Sequence, residues 1–312
     1  MADSNDEFNY LSSLDTEQRN PESLHIDLAS PLEIVTCINK QDKLVADAVA
    51  KKLPEIALAV EKTAECFKKG GRLFYAGSGT SGRIGIVDAA ECPPTFGTDP
   101  EMVQGLIAGG PDAVFRAQEK VEDSPEEGKK AVQINNLGEH DVLCGLAASG
   151  RTPYVKGALE EAASRESLTI FICCVSAKQL RLNTNPDILI DVPVGPEVIM
   201  GSTRMKSATA QKMVCNMITT GSMIRLGKIY ENVMVDLQLT NRKLEERARR
   251  ILMLFSDVDY ITAGKLLEKS GNHVKSALLM AVSGLGFEQA TELLGRHNGF
   301  VRSALQEVHE SK

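Results

Sequence analysis

Glycines alternate with hydroxyl side chains in the segment Tyr75–Gly85, which reads YAGSGTSGRIG. A second segment, Ser149–Thr152, again combines hydroxyl groups with a glycine. Serine and threonine hydroxyls, together with the N–H groups of a helix N-terminus, can satisfy the exposed oxygens of a phosphomonoester in a small volume. Two such segments favour phosphate binding over the alternative, which is that they only cap two helices. We predict phosphate contacts from Ser78, Gly79, Thr80, Ser81, Gly82, Ser149, Gly150 and Thr152.

Three glycines of the first segment also match G-x-G-x-x-G, the spacing of dinucleotide-binding loops. They are Gly77, Gly79 and Gly82. A dinucleotide site needs an acidic residue at the end of the next strand, about 20 residues further on, to bind the ribose hydroxyls. The chain has the segment 107–110, Ile-Ala-Gly-Gly, at that place. We therefore do not expect NAD as a cofactor.

Apolar runs alternate with helical patterns through the middle of the chain, which is the arrangement that must position these hydroxyl groups. This alternation predicts an α/β fold in which a mostly parallel five-stranded sheet is covered by helices. Ligands of such sheets bind beyond the carboxyl ends of the strands, where both hydroxyl segments lie. The predicted strands are Leu73–Ala76, Met102–Ala108, Asp141–Ala148, Leu168–Val175 and Ile188–Val192.

The pattern divides the chain into three parts. We predict an N-terminal helical segment (1–50), a phosphate-binding domain (51–228) and a small C-terminal all-helical domain (229–312). The last part contains an internal repeat, because Ala263-x-x-Leu266-Leu267 recurs 27 residues later at Ala290. Each copy reads as a helix, a Gly/Asn turn and a second helix. We expect two packed helical hairpins and not a helix-turn-helix that reads DNA, because glutamates lie among the basic residues.

Composition excludes several further classes of protein. The chain has 312 residues and a formal net charge of −7, which argues against a broad nucleic-acid surface. Its acidic start does not resemble a signal peptide, and no apolar run approaches the ~18 residues that a membrane span needs. Seven cysteines without paired spacing indicate reduced thiols in a cytoplasmic protein. The five histidines show no metal-ligand spacing, so we predict no metal site.

Seven blocks of the sequence together carry a resemblance to a known family. They are TEQRNPESLHIDLASPLEIVTCINKQDK, GSGTSGRIGIVDAAECPPTFG, GLIAGG, VEDSPEEG, ASGRTPYV, GPEVIMGSTRMKSATAQK and NVMVDLQLTNRKLEERARRI. These blocks resemble the N-acetylmuramic acid 6-phosphate etherase family, whose members contain a sugar isomerase (SIS) domain, a three-layer flavodoxin-like fold that binds phosphosugars. The resemblance extends over nearly the whole chain, and the Glu-Cys-Pro-Pro and Val-Glu-Asp-Ser blocks are its specific parts. It implies that the phosphate is carried by a sugar.

The resemblance also implies an activity, that of a carbon–oxygen lyase in peptidoglycan recycling. Enzymes of this family split the D-lactyl ether at C3 of the sugar without a metal or redox cofactor. The products are N-acetylglucosamine 6-phosphate and D-lactate. At the motif positions of this chain, the resemblance implies that Glu91 protonates the departing lactate. Glu122 is then the second catalytic residue, to which we assign removal of the C2 proton.

The surrounding pattern gives each of these carboxylates a predicted place. Glu91 stands where Pro93-Pro94 is expected to end the helix that starts at the hydroxyl segment. Glu122 follows a helix predicted from Asp112 to about Val121. Without the resemblance, Glu122 reads as a surface residue.

A third block resembles SIS domains at the start of another helix, predicted from Ser202 to about Leu226. It adds substrate contacts from Ser202, Thr203 and Lys206, and we expect Glu197 to reach the sugar. The alternative for Glu197 and Lys206 is a helix cap and a surface charge. SIS domains usually pair, so the resemblance implies a homodimer. We expect a small sugar phosphate as the ligand, and neither nucleic acid nor membrane as a partner.

Three other functions compete with the etherase. A phosphosugar aldose–ketose isomerase needs no acid for a leaving group, so it leaves Glu91 without a role. A non-catalytic sugar-phosphate-binding regulator would resemble the glucokinase regulatory protein, which is much longer and has two SIS domains. An SIS-type transcription regulator carries a DNA-binding head, whereas residues 1–50 here begin with an acidic stretch. Release of D-lactate distinguishes the etherase from the first two.

Overall fold

The computed structural model describes residues 2–118, 120–183, 185–239 and 241–310. The chain divides into two compact units. The first comprises Met1–Ala90 and Glu101–Thr219, and the second comprises Glu91–Pro100 and Thr220–Lys312. The predicted boundaries after residues 50 and 228 stay predictions, and the outer ends at residues 1 and 312 lie outside the described residues.

A parallel five-stranded sheet forms the centre of the first unit. Its strand order is β2-β1-β3-β4-β5, and all four pairings are parallel, as the alternation of strands and helices predicts. β1 and β3 are buried along their whole length, which explains why they appear in the sequence as continuous apolar runs. The strands are β1 Leu73–Gly77, β2 Val103–Ile107, β3 Val142–Leu146, β4 Leu168–Cys173 and β5 Ile188–Asp191.

Helices precede, connect and follow these strands. Within the described residues, none of them has the length and apolar character that a bilayer span requires. Their bounds are α1 Ala2–Ser13, α2 Pro31–Ala50, α3 Leu53–Lys68, α4 Gly79–Phe96, α5 Asp112–Phe115, α6 Pro125–Ile134, α7 Pro153–Ser164 and α8 Lys206–Arg225.

Side chains that alternate along β1 pack on opposite faces of the sheet, so helices cover both faces. Phe74 belongs to a buried cluster with Val155 of α7. Tyr75 points to the other face, where its hydroxyl donates to Asp88 of α4 at 2.8 Å and to the Cys215 carbonyl of α8 at 3.4 Å. Burial raises the pKa of the Asp88 carboxyl, and burial also raises that of the Tyr75 phenol. The three-layer α/β prediction is therefore confirmed.

Three helix boundaries predicted from the sequence are wrong. α4 does not end at Pro93 but continues to Phe96, and the Gly97 N–H still donates to the Pro93 carbonyl at 2.9 Å. Each proline removes only its own N–H donor, and the helix continues for less than one further turn. α8 begins at Lys206, four residues after the predicted start at Ser202.

The third wrong boundary concerns the helix predicted from Asp112 to about Val121. It is reduced to the single turn α5, which ends at Phe115. Arg116 is extended, and Lys120 has a φ of +65°, a left-handed conformation that no helix continues through. Glu119, inside the predicted helix, lies outside the described residues. Glu122 consequently lies in a 3₁₀ turn, Val121–Asp123, and not at a helix end.

α6 and α7 approach each other closely at Gly157. A Cβ atom there would lie 2.0 Å from the carbonyl oxygen of Pro125, the first residue of α6. Because that distance is far inside van der Waals contact, only glycine fits at this crossing. The crossing fixes the start of α6, which is separated from the 3₁₀ turn that carries Glu122 by a single residue, Ser124.

The second unit contains a short hairpin and a helical bundle with its own buried core. The two copies of the repeat match throughout, since their first helices begin at Tyr260 and Phe287 and their second helices at Val274 and Val301, 27 residues apart in both cases. The elements are β6 Ile229–Tyr230, β7 Val233–Met234, α9 Arg242–Phe255, α10 Tyr260–Lys269, α11 Val274–Ser283, α12 Phe287–Arg296 and α13 Val301–Glu310.

Candidate functional site

A cleft of about 340 Å³ opens in the first unit at the carboxyl ends of β1 and β3, the edge where parallel sheets bind ligands. The structure brings both hydroxyl segments into its lining, together with one of the two predicted catalytic carboxylates. The predicted residues that line it are Ser78, Gly79, Thr80, Ser81, Glu122, Ser149, Thr152 and Thr203.

The first wall of the cleft is the start of α4. β1 ends at Gly77 and α4 begins at Gly79, and the first helical hydrogen bond runs from the Gly82 N–H to the Ser78 carbonyl at 3.1 Å. The preceding N–H groups have no partner within the helix, and the helix dipole adds partial positive charge at this end. Together with the hydroxyls of Thr80 and Ser81, they suit an anion.

Gly82 serves the packing of α4 and not contact with a ligand. It is buried, and a Cβ atom at this position would lie 2.8 Å from the Gly77 carbonyl oxygen and 2.7 Å from Ile107 Cγ1. The residue therefore allows α4 to pack closely on the sheet. It is not among the described residues that line the cleft, and the same holds for Gly150, which is buried behind Ser149 with a φ of +71°.

The second wall is the loop between β3 and α7. Ser149 and Thr152 line the cleft, and Pro153 occupies the first position of α7. The Thr152 carbonyl accepts from the Val155 and Lys156 N–H groups, both at 3.1 Å, so Thr152 stands at the N-terminus of α7 as Ser78 does at that of α4. Two helix N-termini that carry hydroxyl groups thus face one cleft.

Charged residues complete the lining. Glu122 and Asp123 enter from the 3₁₀ turn before α6, and both side chains are exposed. The sequence interpretation did not identify Asp123, Glu17, Arg151 or Gly201 as lining residues. Asp123 and Arg151 are direct neighbours of predicted residues, and this adjacency was the available signal for both.

Glu17 reaches the cleft from the N-terminal segment, far from the sheet in sequence. Its N–H donates to the Leu14 carbonyl at 2.9 Å, and Leu14 is fully buried. The Thr16 carbonyl accepts from the Gly201 N–H at 3.1 Å, which connects this segment to the loop before α8. No local pattern predicts such a long-range contact.

Two residues of the third predicted block, Glu197 and Lys206, lie beneath the surface and not in the cleft. Glu197 is fully buried. One of its carboxylate oxygens accepts from the Lys206 N–H at 3.0 Å, and the other accepts from the N–H and the hydroxyl of Ser207, both at 2.9 Å. Glu197 therefore caps α8, which is the alternative role that the sequence left open.

Lys206, the first residue of α8, is also buried, with only 2% of its surface exposed. Its ammonium group donates to Gln41 Oε1 and to the Val194 carbonyl, both at 2.9 Å. Desolvation lowers the pKa of Lys206, and the nearby Glu197 charge opposes that shift. Glu197 thus stabilises the start of α8, and the Lys206 ammonium group connects that start to Gln41 of α2 and to the Val194 carbonyl. Of the remaining residues in this block, Thr203 lines the cleft, whereas Ser202 is not among its described lining residues.

Glu91, the predicted acid, lies on α4 in the segment that belongs to the second unit, and its side chain is exposed. The described lining of the cleft, which belongs to the first unit, does not contain it. Among the residues that the structure describes, no group of three or more His, Cys, Asp or Glu side chains could hold a metal ion.

Comparisons with known proteins add independent information. Residues 55–163 match the family model of the glucokinase regulatory protein N-terminal SIS domain. The chain is 53% identical over 309 residues to the N-acetylmuramic acid 6-phosphate etherase of Salinibacter ruber, covering 98% of each chain. It is 49% identical over 300 residues to the enzyme of that name from Clostridioides difficile, covering 96% of this chain and 98% of the relative. A solved phosphoheptose isomerase from Francisella tularensis aligns with TM-score 0.44 and 19% identity, covering 62% of this chain and 100% of that one.

Proposed function

This chain belongs to the N-acetylmuramic acid 6-phosphate etherase family, and we propose that it cleaves the D-lactyl ether of N-acetylmuramic acid 6-phosphate in peptidoglycan recycling. The products are N-acetylglucosamine 6-phosphate and D-lactate. One observation supports this activity in addition to membership of the family. Two hydroxyl-bearing helix N-termini, which suit a phosphate, share a cleft with Glu122, a carboxylate able to transfer protons.

The substrate's own chemistry explains why such a cleft suffices. In the open-chain sugar, the C2 proton is acidic because C2 lies next to the C1 aldehyde. A base removes that proton, a C2–C3 double bond forms, and the C3–O bond breaks as an acid protonates the departing lactate oxygen. Water then adds at C3, and C2 takes up a proton. Each positioned proton transfer contributes typically 10²–10⁴-fold to the rate.

We assign the 6-phosphate to the two hydroxyl-bearing walls. At neutral pH a phosphomonoester carries up to two negative charges and presents only acceptor oxygens, so the matching groups are N–H and O–H donors. Ser78, Thr80 and Ser81 supply them at the start of α4, and Ser149 and Thr152 at the second wall. The sugar then extends along the cleft towards Glu122.

We assign C2 deprotonation to Glu122, since its exposed carboxylate lines the cleft. The assignment of Glu91 as the acid rests on its position in the Glu-Cys-Pro-Pro motif. A carboxyl group that donates a proton at neutral pH must be shielded from water. Because the Glu91 side chain is exposed in this chain, we propose that substrate binding or a partner subunit supplies the shielding.

Incubation with N-acetylmuramic acid 6-phosphate and measurement of free D-lactate tests the function. We expect release of one D-lactate per N-acetylglucosamine 6-phosphate formed. Folded protein that releases no lactate contradicts the proposal. Conversion of a 2-hydroxy aldose phosphate to its ketose, with no lactate released from N-acetylmuramic acid 6-phosphate, would indicate an isomerase.

Single substitutions at the two carboxylates test their roles. Glu91→Ala should lower lactate release by about 10²–10⁴-fold while the C2 proton still exchanges with solvent deuterium. Glu122→Gln should lower both processes. Glu139→Gln, an exposed carboxylate outside the described lining of the cleft, is the matched control. Full lactate release by Glu91→Ala would show that the acid assignment is wrong.

We further propose that the protein is a cytoplasmic homodimer. All seven cysteines are free thiols, as expected in a reducing compartment. Large apolar side chains of α2 are exposed, with Leu32 at 74% and Val35 at 56%, and such surfaces commonly mark contacts between proteins. Light scattering coupled to size-exclusion chromatography should give twice the chain mass of 33.8 kDa. A mass of one chain would contradict the dimer.

A further inference from the structure

Arg151 is a charged residue of the cleft that no step of the proposed reaction uses. It lies in the loop between β3 and α7. Among the described residues that line the cleft, it is the only lysine or arginine, whereas three lining residues, Glu17, Glu122 and Asp123, are acidic. A ligand anion in this lining therefore has one cationic side chain with which to pair.

The Arg151 side chain is half-buried, and a tyrosine fixes the place of its charged group. Its guanidinium carbon lies 5.9 Å from the ring centre of Tyr10, close enough for a cation–π attraction. Tyr10 is itself buried, and its hydroxyl donates to the Gln179 carbonyl at 2.9 Å. The guanidinium group is therefore held on the side of the cleft next to the N-terminal segment, from which Glu17 also reaches the lining.

The proposed substrate carries two anionic groups, the phosphate at C6 and the carboxylate of the lactyl group at C3. The two hydroxyl-bearing walls already supply N–H and O–H donors to the phosphate. The carboxylate is planar and is bound best by two parallel donors, which is the geometry of an arginine guanidinium group. Arg151 therefore matches the anion that the two walls leave without a partner.

We propose that Arg151 binds the carboxylate of the D-lactyl group and so selects N-acetylmuramic acid 6-phosphate from other sugar phosphates. The inference rests on the proposed function, because it takes a lactyl ether as the ligand. A phosphosugar without the lactyl group, such as the product N-acetylglucosamine 6-phosphate, does not make this contact. The contact also offsets repulsion between the carboxylate and the negative charge that develops on the departing oxygen, which is two bonds from the carboxylate carbon.

Calorimetry with two sugar phosphates that differ only in the lactyl group tests the assignment. Every protein carries Glu122→Gln, so that N-acetylmuramic acid 6-phosphate is not consumed during the titration. We expect Arg151→Gln to raise its dissociation constant by about 10- to 100-fold, and that of N-acetylglucosamine 6-phosphate by about 2-fold or less. Arg151→Lys keeps the charge but loses the paired donors, so the first constant should rise by about 3- to 10-fold. An equal loss for both ligands, or no loss for either, overturns the proposal.

A change in the ligand completes a cycle with the change in the protein. In the neutral form of the ligand, the lactyl carboxylate is converted to an amide. With Arg151 present, the amide should bind about as weakly as the acid binds to Arg151→Gln. In Arg151→Gln, acid and amide should bind with similar affinity, because the charge pair is already lost. The same loss from the amide in both proteins overturns the proposal, because another group then binds the carboxylate.

Arg181→Gln is the matched control for packing. Its guanidinium carbon lies 4.0 Å from the same Tyr10 ring, but Arg181 is outside the described lining of the cleft. We expect this variant to change both dissociation constants by about 2-fold or less. A loss equal to that in Arg151→Gln overturns the proposal, because packing on Tyr10 is then the cause.

Two further measurements keep the outcome decisive. If Arg151→Gln does not fold, as judged by circular dichroism, acid and amide are compared in the protein that retains Arg151, and equal affinities overturn the proposal. The lactate assay is run on the wild-type protein in parallel. The expected dependence of binding on Arg151 without lactate release would reject the etherase function and leave this inference standing. Lactate release with equal losses for both ligands in Arg151→Gln would reject the inference alone.

Discussion

Two helices that begin in the first unit, α4 and α8, follow loops rich in serine, threonine and glycine, but their N-termini are used differently. The first residues of α4 line the open cleft. At α8, the N–H groups of Lys206 and Ser207 are both occupied by the carboxylate of Glu197. One N-terminus is available to an external anion, whereas the other already holds an anion that the chain supplies.

The difference teaches that a hydroxyl-rich loop before a helix is not sufficient for ligand binding. Ligand binding at a helix start depends on whether a buried carboxylate of the same chain already accepts from its N–H groups. At α8 that carboxylate comes with a buried cation, Lys206, so the block stabilises the fold. The hydroxyl groups at α4 instead remain at the surface of the cleft. Substitutions at the start of α8 should therefore affect stability, whereas substitutions at the cleft should affect substrate binding.

The largest effect is expected from Glu197→Ala. The change leaves the buried Lys206 without its neighbouring negative charge and two helix N–H groups without their acceptor. We expect the free energy of unfolding, measured in urea, to fall by about 3–5 kcal/mol. Added formate should restore part of the loss by occupying the vacated position. Unchanged stability would contradict the view that α8 depends on its internal anion. Glu122→Ala, at an exposed carboxylate, serves as the control and should change stability by less than about 1 kcal/mol.

A smaller effect of another kind is expected from Ser149→Ala in the cleft. Loss of one hydroxyl donor to phosphate should raise KM in the lactate assay by about 10- to 100-fold. The free energy of unfolding should change by less than about 1 kcal/mol. Ser164→Ala is a matched control, because the Ser164 hydroxyl donates to the Glu161 carbonyl on an exposed surface. A large loss of stability in Ser149→Ala would remove the distinction between the two blocks.

The third prediction concerns the pH dependence of stability at Lys206. Because desolvation lowers the pKa of Lys206 in the folded state below its ordinary value of 10.5, the unfolded chain binds more protons between the lowered value and 10.5. Stability contributed through this group should therefore rise with pH across that window and level off above it. Subtracting the unfolding free energies of Lys206→Met from those of the wild type isolates the contribution. A difference that falls as pH rises would contradict a desolvated Lys206; Lys43→Met, at an exposed lysine of α2, is the control.

The smallest effect is expected within the loop before α8, which lies between the cleft lining and the Glu197 helix cap. Thr203 lines the cleft, so Thr203→Ala should raise KM by about 3-fold. Ser202→Ala should change KM by less than about 1.5-fold, since Ser202 is outside the described lining. Steady-state kinetics with both variants checks the contrast. The reverse order would place the ligand on the other side of this loop.

Local sequence patterns were sufficient for the sheet and for the two hydroxyl walls. β1, β3 and nearly all of β4 are buried on both faces and appear as continuous apolar runs, and each of the five predicted strands overlaps the observed one. Long-range contacts explain the rest. The ammonium group of Lys206 binds Gln41, which is 165 residues away in sequence, and Glu17 reaches the cleft from the N-terminal segment. The turn that carries Glu122 follows Lys120, which has a left-handed backbone conformation. No local sequence pattern predicts that conformation for a lysine.

The close crossing of α6 and α7 also limits how this sequence can drift over generations. Every codon change at position 157 that alters the amino acid adds a Cβ atom, and that atom would collide with the Pro125 carbonyl. Relief requires α6 and α7 to move apart, which displaces the turn that carries Glu122, the start of α7 that carries Thr152, or both. A lineage that lost this glycine would therefore disturb the cleft from a position outside its described lining.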